Sequence, residues 1–225
     1  MGSLWWGGGS PFRRSDMPLA KTKLGVFGGT FNPIHNGHLA LAEAVQKAQD
    51  LETVLFVPAA RPPHKDRDLA PVEDRLEMVR IAVSGRAGFE VSDIEVARPG
   101  VSYTVDTLEA LQGLRPDAEL FFIIGEDSIP ELPGWRKTRR ILELARVVAV
   151  NRPGSNAGYC PESFPGVPPA TLLRLERDRV VMTPSPLESR KIREAVRSGH
   201  SIKGQVDDGV QLYIERRGLY RTSAS

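Results

Sequence analysis

From Leu24 onward, short apolar runs alternate with stretches of helical period. Leu24 to Phe27 is continuously apolar and stops at Gly28 and Gly29, which reads as a strand covered on both faces. Gly37 to Gln49 sets Leu39, Ala42 and Val45 on one side and predicts a helix. Thr53 to Val57 is the next strand, ended by Pro58, and Val72 to Ser84 is a second helix carrying Leu76, Val79, Ile81 and Val83. Phe89 to Glu95 alternates apolar and polar residues, as a half-exposed strand does. Thr104 to Leu114 and Arg139 to Ala145 have helical patterns; Leu120 to Ile124 and Val147 to Val150 are buried strands. The Pro-, Gly- and Ser-rich stretch Asn151 to Pro169 predicts a loop. Arg179 to Met182 is a final short strand, and Ser189 to Arg197 and Asp208 to Arg216 are closing helices.

This alternation predicts a Rossmann-like, doubly wound α/β fold: a mostly parallel sheet with helices on both faces and right-handed crossovers. Ligands of such sheets bind beyond the carboxyl ends of the strands, so chemistry is expected after Phe27, Val57, Ile124 and Val150. Residues 22–225 read as one domain whose helical C-terminal part covers about 185–221. Residues 1–21, with the run Gly7-Gly8-Gly9-Ser10, read as a disordered extension or cloning remnant, in which Met17 is an alternative start and Trp5 and Trp6 carry no assignment.

Composition narrows the class. Lys plus Arg is 30 and Asp plus Glu is 28, a balance that gives no basic stripe for nucleic acid and no charged membrane surface. The single cysteine, Cys160, excludes an intrachain disulfide framework. There is no apolar run of about 18 residues and no secretory pattern, so a cytoplasmic protein is expected.

The richest segment is Gly28-Gly29-Thr30-Phe31-Asn32-Pro33-Ile34-His35-Asn36-Gly37-His38, between a strand and a helix. Glycines there admit close approach of a ligand, and a helix N-terminus offers N–H groups and a positive dipole end to phosphate. It matches neither the dinucleotide-binding nor the P-loop glycine pattern. His35 and His38 lack a third ligand at suitable spacing, so no metal site is assigned.

His35-Asn36-Gly37-His38 resembles the (His/Thr)-x-Gly-His signature of the nucleotidyltransferase superfamily, and Gly28 to His38 as a whole resembles the bacterial nicotinate-mononucleotide adenylyltransferases. The likeness runs from about Lys23 to Arg221. It implies that His35 and His38 bind the ATP phosphates and favour the transition state, with Gly28, Gly29, Thr30 and Phe31 lining the nucleotide. Pro62-Pro63-His64-Lys65 is similar to the family's Pro-His-Lys loop and implies substrate contacts from His64 and Lys65. Ser102 to Leu108 is similar to the stretch whose threonine backbone holds the nicotinate carboxylate, a role that falls to Thr104. Gly125-Glu126-Asp127 implies a ribose contact from Asp127. Leu132-Pro133-Gly134-Trp135 implies stacking of Trp135 on the pyridine, with the Arg136 amide beside the carboxylate. Asn151-Arg152-Pro153-Gly154 resembles the loop beside adenosine and implies a contact from Arg152. The Gly218-Leu219-Tyr220 end is assigned to packing.

One stretch departs from the family pattern. Ile-Ser-x-(Thr/Ser)-x-Ile-Arg is here Leu187-Glu188-Ser189-Arg190-Lys191-Ile192-Arg193. Arg193 keeps a phosphate role by the match, Glu188 and Arg190 replace the family's two hydroxyl residues, and Ser185 is the candidate replacement, with Arg190 and Lys191 as alternative sources of charge.

The resemblance implies transfer of AMP from ATP to nicotinate mononucleotide, with Mg²⁺ accompanying ATP, pyrophosphate leaving, and no covalent intermediate. A monomer or homodimer is equally compatible. Three rivals remain open at this level: a superfamily member acting on phosphopantetheine, glycerol phosphate or choline phosphate; a non-catalytic nucleotide sensor; and, with least support, a nucleic-acid binder.

Overall fold

A computed structural model describes residues 21–62, 68–151, 160–183 and 185–221. Five parallel strands, β1 (Thr22–Gly29), β2 (Thr53–Pro58), β3 (Phe89–Val91), β4 (Ala118–Gly125) and β5 (Ala145–Val150), form one sheet in the order β3-β2-β1-β4-β5. Around them lie α1 (Asn36–Gln49), α2 (Val72–Val83), α3 (Thr104–Leu114), α4 (Thr138–Leu144), α5 (Pro169–Arg177), α6 (Ser189–Arg197) and α7 (Asp208–Arg217). Strand order reverses at β1, which opens a crevice between the carboxyl ends of β1 and β4.

The period-2 alternation of each strand divides the core in two. Val54 and Phe56 of β2 and Phe121 and Ile123 of β4 face one side, with residues from α1, α2, α6 and α7. Leu55 and Val57, with Leu120, Phe122 and Ile124, face the other, under α3, α4 and α5. Register brings Val26 level with Leu55 and Phe122. Both faces of the sheet are thus covered, which explains why the central strands are continuously apolar in sequence. Ile192, Val210 and Ile214 place α6 and α7 in the same core cluster as β1.

Three local expectations change. The strand expected over Phe89 to Glu95 stops at Val91, because Asp93 to Arg98 folds into turns (Ala97 N–H to Asp93 O, 2.8 Å) that take Glu95 inward. Arg179 to Met182 forms no continuous strand: Val180 makes a single bridge to Val150, and the Asn151 carboxamide then replaces a backbone partner, accepting from Met182 N at 2.8 Å and donating to Met182 O at 3.0 Å. Helix α5, unforeseen beyond the predicted loop, starts at Pro169 and buries only Leu172 and Leu175, too sparse an apolar pattern to read from the sequence.

Candidate active site

Gly28 and Gly29 end β1 at the open side of the crevice. A Cβ built on Gly28 would meet nothing nearer than Phe122 Cε2 at 3.8 Å, an ordinary contact. Packing does not require glycine there, whereas close approach of a ligand would. Phe31, at φ 46, turns its ring into the core against Phe27 and His38, so that the chain can reverse into α1.

His35 caps α1 and His38 lies in its first turn. Their rings stack with centroids 3.7 Å apart. His38 Nδ1 accepts the His35 backbone N–H at 3.2 Å, which leaves Nε2 as the proton-bearing nitrogen of a neutral His38 ring. Two stacked imidazolium ions would repel by about 4 kcal/mol at an effective dielectric of 20, so a doubly charged pair is supported only opposite anions. Gly37 between them is closely enclosed: a Cβ would lie 3.0 Å from His35 Nδ1 and 2.8 Å from Ser185 Oγ, so a side chain there would displace one or both groups. Asn36 anchors the same turn to the C-terminal region, donating to Gly204 O at 2.9 Å.

Helix α2 supports this loop from below. Arg75, 1% exposed, donates to Thr30 O (2.8 Å), Ala59 O (2.6 Å), Ala60 O (3.1 Å) and Ala70 O (3.1 Å). Burial lowers its pKa, and the nearby acidic groups, Tyr220 foremost and then Glu73 and Glu95, oppose that shift. One side chain thereby joins the exits of β1 and β2.

At the far wall, Ser102 ties the start of α3 to the β2 exit (Arg61 N–H to Ser102 Oγ, 3.2 Å). Thr104 is the first residue of α3, where backbone N–H groups lack intrahelical acceptors. Thr107 donates to buried Glu95 at 2.6 Å. Trp135 packs edge-on against Phe122, centroids 6.0 Å apart, and its loop is held by Thr138 Oγ1 donating to Leu132 O and Trp135 O. The Arg136 guanidinium lies 4.5 Å over the Tyr103 ring and 3.5 Å from Asp106. Gly125 ends β4 and Asp127 follows on its exposed turn.

All these expected residues meet in a single cleft: Gly28, Gly29, Thr30, Phe31, His35, His38, Thr104, Gly125, Asp127, Trp135, Arg136 and Arg193 all line it. His64, Lys65 and Arg152 lie outside the described residues. In the atypical segment, Ser189 Oγ donates to Pro33 O at 2.9 Å, and Ser185 lines the cleft beside Gly37. Lys191 pairs with Glu188, and the Arg190 side chain is 71% exposed. The sequence reading missed Arg75, Asp68 and Asn32. Asn32 donates to Asp68 O at 2.8 Å and accepts from Ala70 N at 3.0 Å, and Asp68 pairs with Arg193 and Arg197. The hydrogen bond of Arg197, foremost, and that of Arg193 hold the Asp68 carboxyl below the ordinary 3.8 against the opposing effect of burial.

Among the described residues, no helix is long and apolar enough to cross a membrane. The cytidylyltransferase-like family matches residues 26–200. A protein of Thermomicrobium roseum named probable nicotinate-nucleotide adenylyltransferase is 44% identical over 205 residues, which is 89% of this chain and 92% of that protein. A protein of the same name from a Roseiflexus species is 43% identical, covering 90% of this chain and 100% of its own length. In fold, the chain is similar to the Plasmodium falciparum nicotinic acid mononucleotide adenylyltransferase complexed with NaAD (TM-score 0.69, 16% identity, 88% of this chain and 97% of that one). Fold, cleft and these relatives agree: the chain belongs to the nicotinate-nucleotide adenylyltransferase family, within the cytidylyltransferase-like nucleotidyltransferases.

Proposed function

We propose that the chain transfers the AMP moiety of ATP to nicotinate mononucleotide, yielding deamido-NAD and pyrophosphate for NAD biosynthesis. The observation that carries this reading is the stacked His35–His38 pair at the N-terminus of α1, beside a glycine whose missing side chain leaves room for phosphate. An oxygen of the mononucleotide phosphate attacks Pα of ATP. The new P–O bond forms as the bond to the bridging oxygen breaks, and its electron pair leaves with pyrophosphate. The nucleophile is already an anion, so no general base is needed. The protein's task is alignment and stabilisation of growing negative charge. His38 Nε2–H, the His35 ring, the α1 amides and Arg193 are the donors for that charge. Mg²⁺ accompanying ATP would supply further charge screening. Among the described residues no three or more His, Cys, Asp or Glu side chains gather into a metal-holding group, which fits an ion that would arrive with ATP.

For the second substrate, the α3 N-terminus and Arg136 favour an anionic ring substituent, and Trp135 offers the flat surface for the pyridine. These features favour nicotinate mononucleotide over the nicotinamide form. A coupled assay with both mononucleotides and Mg-ATP tests the proposal. The expected result is pyrophosphate release with a clear kcat/KM preference for the nicotinate form; a preference for the amide would overturn the substrate choice, and no pyrophosphate with either would overturn the activity. Ser102 to Leu108 and Trp135 disfavour the phosphopantetheine, glycerol phosphate and choline phosphate readings.

A further inference from the structure

Beyond α7, Tyr220 touches the loop that leads from β1 into the site. After Gly218 closes α7, Tyr220 sits at φ 63, a left-handed conformation uncommon for a tyrosine, and its ring packs against the core beneath the cleft. Its hydroxyl donates to Asn32 Oδ1 at 2.9 Å, across 188 positions of sequence. Burial raises the phenol above its ordinary pKa, so the donor keeps its proton at neutral pH. The same Oδ1 accepts from Ala70 N, and Asn32 Nδ2 donates to Asp68 O, so every polar atom of the carboxamide is committed and its orientation is determined. Asn32 is 3% exposed. Its backbone carbonyl accepts from Arg193 Nη1 at 2.9 Å, and Arg193 Nε lies 3.4 Å from Asp68 Oδ2. Asn32, Asp68 and Arg193 thus form a closed ring of bonds, and Tyr220 holds its central member.

We infer that Tyr220 is a positioning residue of the triphosphate site: through Asn32, its hydroxyl sets the direction in which Arg193 presents its guanidinium to ATP. The inference rests on the reading of Arg193 as a phosphate contact. It moves Tyr220 from simple packing into the ATP-binding apparatus.

The test is a double-mutant cycle on the full chain. Binding of a non-hydrolysable ATP analogue is measured by calorimetry, and KM is measured for both substrates. Tyr220→Phe removes one oxygen and leaves the ring packing intact. It is expected to weaken analogue binding by about three- to tenfold, to raise KM for ATP correspondingly, and to leave KM for nicotinate mononucleotide within about twofold. Arg193→Ala is expected to weaken the analogue by at least as much, and adding Tyr220→Phe to it should produce little further loss, because the two act through one contact. Tyr213→Phe is the matched control: it removes a phenol bond of 2.7 Å from α7 to Asp74 of α2, one that does not involve Asn32, and should leave KM for ATP unchanged. If Arg193→Ala binds normally, the phosphate role of Arg193 fails. If Arg193→Ala is weakened but Tyr220→Phe binds like the wild type, the positioning role alone is refuted. Fully additive effects, or equal losses in the Tyr213 control, refute it too.

Discussion

At Gly28, a single methyl group separates packing from binding. The fold has room for an alanine there, since the nearest atom to an added Cβ is 3.8 Å away. Gly28→Ala is therefore expected to leave thermal stability within about 0.5 kcal/mol of wild type. In the proposed binding mode the same methyl would occupy the phosphate path, so KM for ATP should rise by about tenfold or more. A normal KM would mean that the triphosphate lies elsewhere. His38 makes the complementary case. Removing a preorganised donor to a developing oxyanion costs roughly 100-fold or more in turnover. His38→Ala should lose kcat on that scale while circular dichroism shows the fold intact, and near-normal turnover would refute the role. Both positions were legible in the sequence, because a glycine run and paired histidines between a strand and a helix form a local pattern. The tautomer of His38 was not: it follows from the side chain's own return bond to the His35 N–H.

Among the elements, α2 does the least visible and most consequential positioning. A buried guanidinium with four backbone carbonyl partners joins the loops after β1 and β2. Arg75→Met fills comparable space but strands several buried acceptors, and it should destabilise the protein by roughly 3 kcal/mol or more. Chemical denaturation measures this, and a loss under about 1 kcal/mol would show that water or rearranged loops satisfy those carbonyls. Nothing in the helical period of Val72 to Val83 announces the role, because its acceptors come from three other segments. The same holds for β3. Its alternating pattern extends to Glu95, yet pairing ends at Val91, where hydrogen bonds in the following turns prevail over strand propensity at an edge.

Across the whole molecule, the C-terminal helices close the core on one face of the sheet and lock to α2. Asp74 is buried, accepts from Tyr213 Oη at 2.7 Å and pairs with Arg217 at 2.9 Å. Burial, the largest single influence, raises its pKa, but the bonds from Arg217 and Tyr213 together outweigh it and hold the carboxyl below 3.8. A depressed folded pKa means stabilisation that is complete above the ordinary value of 3.8 and is lost as pH falls through the lower, folded value. The Tm difference between wild type and Asp74→Asn should therefore be constant from about pH 5 upward and shrink in acid. A difference that persists unchanged to about pH 2 would remove Asp74 from the account of acid stability.

Strong local signals determined the fold class from sequence. Buried strands are apolar throughout, helices repeat every 3.6 residues, and the motif residues fall at strand exits, where a parallel sheet opens its crevice. Weak signals failed for physical reasons: α5 buries only two leucines, and the strand-like run at Val180 meets a side chain in place of a second backbone. Tertiary structure alone decided which buried polar groups brace the cleft from behind. Arg75, Asn32 and Tyr220 have partners set by how distant segments dock, over separations of up to 188 residues, and no local pattern encodes such a choice.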